Sequence, residues 1–345
     1  MNRKVSLKDI AREAGVSTAL VSYVLNNLKE GRIRKEVSQR IRDVARRLNY
    51  RPNHLARSLK TRKTFTLGLV VADISNPFSS SLARIIEDEA DRMQYTVIFG
   101  SSDENPDKFS KLVNTFLDRQ VDGLILSPPE GSESQVEELL NSNVPFVLLD
   151  RYFPDLKTSY VVLDNFNAAR VATTHLVQAG RRRIGFIGYS TSLLHLKERE
   201  QGFVAALKEC GLKPVKSLMK RVQVAFNEKE IAQALNELLL QDPAPDALLF
   251  CSNIIGAICL RIINRSKWKV PDHLMIACFD ETRALNLFYA PLTFIRQPLD
   301  QLGQTATRIL ISNLGEEKNV VQVKMEAEII APSSQRADDR SGSNV

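Results

Sequence analysis

From Thr66 onward the chain alternates short apolar runs with amphipathic stretches, a pattern that few folds accept. LGLVVA (67–72), YTVIFG (95–100), GLILS (123–127) and FVLL (146–149) form a first series. YVVL (160–163), IGFIG (184–188), ALLFC (247–251) and MIACF (275–279) form a second. Runs this short and this uniformly apolar fit strands buried on both faces. The segments between them carry helical spacing, as in 80–94 and near 107–119. That alternation predicts an α/β body of parallel sheets flanked by helices, built as two successive subdomains. With 345 residues, the chain is in any case too long for one compact core.

In open α/β sheets, ligands sit beyond the carboxyl ends of the strands. Asp73 and Asn76 follow the first run, Asp150 follows FVLL, Asp164 and Asn165 follow YVVL, Asn253 follows ALLFC and Asp280 follows MIACF. Taken singly, each is a turn or helix-cap residue. Several of them lining one cleft between two subdomains make a hydrogen-bonding site for a polyhydroxylated small molecule.

The first 63 residues differ in character. They hold 17 Lys/Arg against 5 Asp/Glu, a net of +12, which leaves −5 for the remainder of a chain whose total is +7. A basic head on a mildly acidic body points to nucleic acid as the partner. Within the head, Leu7, Ile10, Ala11 and Ala14 recur on one helix face, with Ser6 and Asp9 spaced as a capping box and Gly15 as a stop. Ser17 caps a second helix whose Val21, Val24 and Leu25 face inward. Ile33, Val37, Ile41, Val44, Ala45 and Leu48 give a third, which Pro52 is expected to end. These are the parts of a helix-turn-helix unit, in which the second helix enters the major groove.

Thr18, Ala19 and Tyr23 are the positions expected at base edges, the small ones beside thymine methyls. Ser17, Ser22 and Asn26, with Arg32 and Arg34 in the following loop, are expected at phosphates. The competing reading of Tyr23 is intramolecular packing. Residues 53–59, NHLARSL, are too few for a stable isolated helix. Paired with a copy in a minor groove they would fold on binding, with Asn53, Ala56 and Leu59 at the DNA and Leu59 as an apolar wedge. The competing reading is a plain linker.

DIAREAGVS and VSYVLN, then RPNHLARSLK, then LGLVVADISNPF, resemble the lac-repressor-like (LacI/GalR) family of bacterial transcription regulators. The match runs in order from about residue 5 to 332. The resemblance implies a helix-turn-helix domain (1–50), a hinge helix and linker (51–63), and a periplasmic-binding-protein-like effector and dimerisation domain (64–332). Subdomain one is then about 64–162 and 298–325, and subdomain two about 163–297 and 326–332, because three crossovers join them. It implies a homodimeric repressor on a pseudo-palindromic operator, controlled by a small-molecule effector. It further implies Asp150 and Asp280 as carboxylates for effector hydroxyls, Arg199 (in REQGF) reaching the effector from a helix start, Asn253 and Gln297 as polar pocket residues, and Phe226 as a stacking aromatic. A sugar or sugar derivative is the leading effector; a purine or a phosphorylated partner protein is the alternative within the family. Tyr23 stands where many relatives carry arginine or histidine, so the base preference there is this chain's own.

Other classes are disfavoured. No G-x-S-x-G, P-loop, or G-x-G-x-x-G after a strand appears, so no catalytic residues, metal site or cofactor are expected. MNRKVSLKDI lacks an apolar signal region and no run is long enough to span a membrane, which gives the expectation of a cytoplasmic protein with no membrane partner. The four cysteines, Cys210, Cys251, Cys259 and Cys278, are expected to be reduced. Glu87-Asp88-Glu89 is expected on a solvated helix face, and the polar tail 333–345 to be disordered.

Overall fold

The computed structural model describes residues 5–25, 32–50, 63–142, 144–224, 228–315 and 319–331. Asn26, Asn53, Ala56, Leu59, Phe226 and the tail 333–345 lie outside the described residues. Contacts divide the chain into a head, residues 1–64, and a body, residues 65–345.

Three helices make the head: α1 (Leu7–Ala14), α2 (Thr18–Leu25) and α3 (Lys35–Arg47). The Ser6 N–H and hydroxyl both donate to Asp9 Oδ2, at 2.9 and 2.7 Å, closing the start of α1. Gly15 takes φ 65°, which a side chain would resist, and the Val16 N–H turns back to the Ala11 carbonyl at 3.0 Å. Ser17 Oγ accepts the Leu20 N–H at 3.2 Å, fixing the start of α2. Ile10, Ala11, Ala14, Val21, Val24, Ile41, Val44 and Ala45 form the buried core that this periodicity specifies. The expected stop at Pro52 is corrected: α3 ends at Arg47. Asn49 there adopts φ 50°, and the Tyr50 N–H reaches the Ala45 carbonyl at 2.9 Å. Asparagine tolerates the left-handed region better than other side chains, so it ends the helix before proline can.

The body opens with β1 (Thr66–Val71), α4 (Pro77–Arg92), β2 (Thr96–Ser101), α5 (Pro106–Asp118), β3 (Gly123–Leu126), α6 (Glu133–Asn141), β4 (Phe146–Leu149) and β5 (Tyr160–Leu163). It continues with α7 (Asn165–Gln178), β6 (Ile184–Ser190), α8 (Leu194–Glu209), β7 (Met219–Gln223), α9 (Glu228–Leu239), β8 (Ala247–Phe250), α10 (Asn253–Ile263), β9 (Met275–Phe279) and β10 (Thr293–Arg296). It closes with α11 (Leu299–Ser312), β11 (Gln322–Met325) and β12 (Glu328–Ile330). One sheet has the order β11-β5-β4-β3-β1-β2 and is parallel throughout; the other has the order β12-β10-β9-β8-β6-β7. The expectation of parallel sheets is corrected at one edge, where β12 runs antiparallel to β10.

The chain passes between the sheets after β5, after β10 and between β11 and β12. The middle passage returns α11 to the first sheet, where Leu302, Ala306 and Leu310 pack with Leu67, Val147 and Val161. A second correction concerns the acidic run on α4. Glu87 and Asp88 face Arg84 at the surface, but Glu89 is buried, bonded to Arg308 Nε at 2.6 Å and Arg92 Nη1 at 3.0 Å. The return of α11 supplies Arg308, which a local reading of α4 could not anticipate. Among the described residues no helix is long and apolar enough to cross a membrane, and all four cysteines are free thiols.

Candidate functional site

In each sheet the strand order reverses beside its first strand, and the carboxyl ends of the two sheets face one cleft of about 700 Å³. That size suits a monosaccharide or disaccharide. Asp73, Asn76, Asp150, Arg199, Asp280 and Gln297 line it, and Asn253 adjoins it between the lining residues Ser252 and Ile254.

Two aspartates hold corresponding places in the two halves. Asp150 follows β4 with φ 69°, and Asp280 follows β9 with φ 65°. Their N–H groups bond the neighbouring strands at Val161 O (3.0 Å) and Ile295 O (3.1 Å), so the sheet edge holds each residue in the left-handed region. Burial pushes the Asp150 carboxyl up to about 6, against the opposing pull of Arg151 and Arg199. Burial also raises Asp280, against Arg199 and the Gln297 amide. Gln297 Nε2 donates to Asp280 Oδ1 at 2.5 Å.

Arg199, 3% exposed, is the cation of the second half. It lies within α8, beyond its first turn, rather than at the helix start. Its Nε donates to Asn165 Oδ1 at 2.8 Å and its Nη1 to the Cys251 carbonyl at 2.7 Å. Its Nη1 lies 3.8 Å from Asp280 Oδ2, and the guanidinium covers the Phe279 ring at 4.0 Å. Gly202 makes this possible: a Cβ there would stand 2.1 Å from the Phe166 carbonyl, so only glycine lets α8 approach α7 closely enough. Asn165 in turn donates to Leu163 O at 3.1 Å, which fixes its amide with oxygen toward Arg199.

Residues outside the initial site set complete the cleft. Arg151 forms a two-pronged bond to Glu104, at 2.7 and 2.6 Å. Tyr189 and Ser252 share a hydroxyl bond of 2.9 Å. His195 is buried and kept neutral, its pKa driven well down by desolvation with Arg151 and Arg199 adding to the effect. Adjacency to Asp150 was a signal for Arg151; nothing in LHLKE marked His195. Asp73 and Asn76 have local duties as well. Asp73 accepts the Ser75 N–H and hydroxyl, both at 2.8 Å, and Asn76 caps α4 through the Phe78 N–H at 3.0 Å.

Among the described residues, side-chain contacts join the halves. Asn253 Nδ2 donates to Asn76 Oδ1 at 2.9 Å, Glu130 accepts from Thr191 Oγ1 (2.8 Å) and the Ser192 N–H (2.5 Å), and Lys324 lies 3.5 Å from Glu198. These contacts are polar, so a ligand bridging the same gap competes with them or adds to them.

On the head, Ser17, Thr18 and Ala19 are exposed at the start of α2, one turn before the half-buried Ser22 and Tyr23. Arg32 and Arg34 are exposed just ahead of α3. A helix start with short exposed side chains allows backbone N–H groups to approach phosphates.

The model of periplasmic binding proteins and the sugar binding domain of the LacI family matches residues 64–330, and that of bacterial regulatory proteins, lacI family, matches residues 6–53. Catabolite control protein A of Priestia megaterium is 33% identical over 314 residues, covering 91% of this chain and 93% of that protein. The ribose operon repressor of Halalkalibacterium halodurans is 32% identical over 309 residues, covering 90% of each. Among solved structures, the lac repressor dimer bound to operator and the anti-inducer ONPF aligns with a TM-score of 0.83 at 21% identity, covering 95% of this chain and 98% of that one. The transcriptional regulator CelR–cellobiose complex aligns with a TM-score of 0.71 at 24% identity, covering 95% and 99%. At those identities the likeness to the two structures is one of fold.

Proposed function

We propose, from the premise that this chain belongs to the LacI family of bacterial regulatory proteins, that it is a homodimeric repressor released from or fastened to its operator by a sugar in the cleft. The observation that carries the effector half is the pair of buried aspartates, Asp150 and Asp280, facing one cavity from opposite sheets. Buried carboxyls are costly to keep ionised, and hydroxyl donors from a ligand relieve that cost. Ligand in the cleft touches both halves, so it selects one relative orientation of them. By linkage, that orientation sets the spacing of two copies of residues 51–63 in the dimer, and hence DNA affinity. The ribose operon repressor among the relatives and the cellobiose complex among the structures support a sugar; the transcriptional repressor PurR of Mannheimia succiniciproducens, 28% identical over 314 residues, keeps a purine as the second reading. Residues 1–50 serve as the DNA-binding domain, 51–63 as the hinge, and 64–332 as the effector and dimer domain; the protein acts in the cytoplasm on a pseudo-palindromic duplex.

In this reading Thr18, Ala19 and Tyr23 read bases, Ser17, Ser22, Asn26, Arg32 and Arg34 hold phosphates, and Asn53, Ala56 and Leu59 enter the minor groove. Asp73, Asn76, Asp150, Arg199, Phe226, Asn253, Asp280 and Gln297 serve the effector. Duplex selection from a randomised pool tests the DNA half: the intact chain should enrich a two-fold symmetric site whose affinity falls steeply with salt, while a chain lacking residues 1–62 enriches nothing. Tyr23→Ala should then change the enriched base at one position of each half-site, by about tenfold in preference. A uniform loss across all sequences would assign Tyr23 to packing or phosphate contact instead.

A further inference from the structure

The cleft presents its occupant with more carboxylates than guanidiniums. Asn76 Oδ1 receives the Phe78 N–H, so it can only accept, and Asn253 must turn its Nδ2 toward it. Asn253 Oδ1 is thereby left buried with no partner among the described residues. Gln297 gives its Nε2 to Asp280, and its Oε1 is likewise buried and unpartnered. Both residues are more than nine-tenths buried. The Asp150 and Asp280 carboxyls, one from each half of the body, line the cavity as acceptors, Asp280 Oδ1 already holding the Gln297 amide.

Each of the two cations nearby stands beside a carboxylate. Both terminal nitrogens of Arg151 hold Glu104, and its buried Nε lies 3.6 Å from Asp150 Oδ2. Arg199 bonds Asn165 through Nε and the Cys251 carbonyl through Nη1, with Nη1 3.8 Å from Asp280 Oδ2. His195 is neutral, and its Nδ1 is buried without a partner. Asp73, Asp103, Glu104, Asp150 and Asp280 line the cavity against those two guanidiniums.

A phosphate or carboxylate brings acceptors and negative charge, and would meet acceptors and negative charge. A hydroxyl both donates and accepts: it can donate to the Asp150 and Asp280 carboxyls and accept from the Arg199 guanidinium. We infer that the effector is an uncharged polyol, and that the cleft rejects phosphorylated and carboxylated sugars. This rests on the reading of the cleft as the sugar site.

Calorimetric titration of the full chain with matched sets tests it: neutral pentoses, hexoses and disaccharides, their phosphate monoesters, the corresponding uronic acids, and purine bases. A neutral sugar should bind, with its phosphate ester and uronate at least a hundredfold weaker. A charged derivative that binds as tightly as its parent overturns the inference and leaves the sugar reading standing. Binding by a purine alone, or by no member of the panel while duplex binding persists, overturns the sugar reading and the inference with it. Asp150→Asn gives a second readout, since Asn tolerates the left-handed backbone. It should weaken the neutral sugar at least tenfold and narrow the parent-to-phosphate ratio by a similar factor; an unchanged ratio would mean that charge in the cleft does not set selectivity.

Discussion

Replacing Arg199 by Met should lower the stability of the body by about 3–5 kcal/mol, the range for breaking a buried ion pair from one side. Met fills much of the same volume, so the loss is electrostatic. It leaves Asn165 Oδ1 and the Cys251 carbonyl as unmet buried acceptors, each costing about 1–3 kcal/mol, and strips Asp280 of its nearest cation. The Asp280 carboxyl, already raised by burial, then rises further. A raised carboxyl stabilises the fold only while protonated, so the variant should be relatively better at pH 5 than at pH 8. Thermal unfolding should show a drop of about 10 °C at pH 8. Adding Asp280→Asn should recover part of it, because the orphaned charge is gone. A melting temperature equal to that of the parent would mean that the Arg199 cluster contributes nothing to the fold.

Asp150→Asn should do the reverse at neutral pH: raise stability while weakening the effector. Held near 6 in the folded protein against 3.8 when unfolded, the carboxyl makes its contribution below the unfolded value and loses it as pH climbs from about 4 through 6. Above pH 7 the folded state therefore carries a cost of about 3 kcal/mol, set by that difference. Asparagine removes the charge and accepts φ 69° without added strain, and Arg151 keeps its Glu104 partner. The melting temperature of the variant should exceed that of the parent at pH 8, with the gap closing by pH 4. Sugar affinity should fall by about tenfold or more, the worth of one hydrogen bond to a charged acceptor. The parent's own affinity should rise with pH through 6, since the ionised carboxyl is the better acceptor. A variant less stable than the parent at pH 8 would contradict this account of Asp150. Stability surrendered for a binding site is the trade expected of functional residues.

How much of this was legible beforehand depended on whether the deciding contact was local. Ser6, Gly15 and Ser17 act within one turn of their own helix, so the head's first two helices could be read from spacing. FVLL, YVVL and MIACF are buried on both faces and announced themselves as strands. The strands β7 and β11 are rich in polar residues at sheet edges, and β12 has three residues; none has a long apolar run to betray it. Glu89 was misplaced because its partner lies 219 residues away. Asp150 and Asp280 stood out as polar residues ending apolar strands, but their left-handed backbone and raised carboxyls come from the sheets around them. His195 had no local pattern; only the folded cleft brings it beside Arg151 and Arg199.

The central claim is that cleft and duplex are linked, and linkage is reciprocal. The most direct test measures the affinity of the intact chain for its selected duplex, at fixed salt, with and without a saturating sugar identified by titration. The account predicts a change of about 5–150-fold in duplex affinity, in one direction or the other, matched by an equal change in sugar affinity when duplex is present. A sugar that occupies the cleft and leaves duplex affinity unchanged would contradict it.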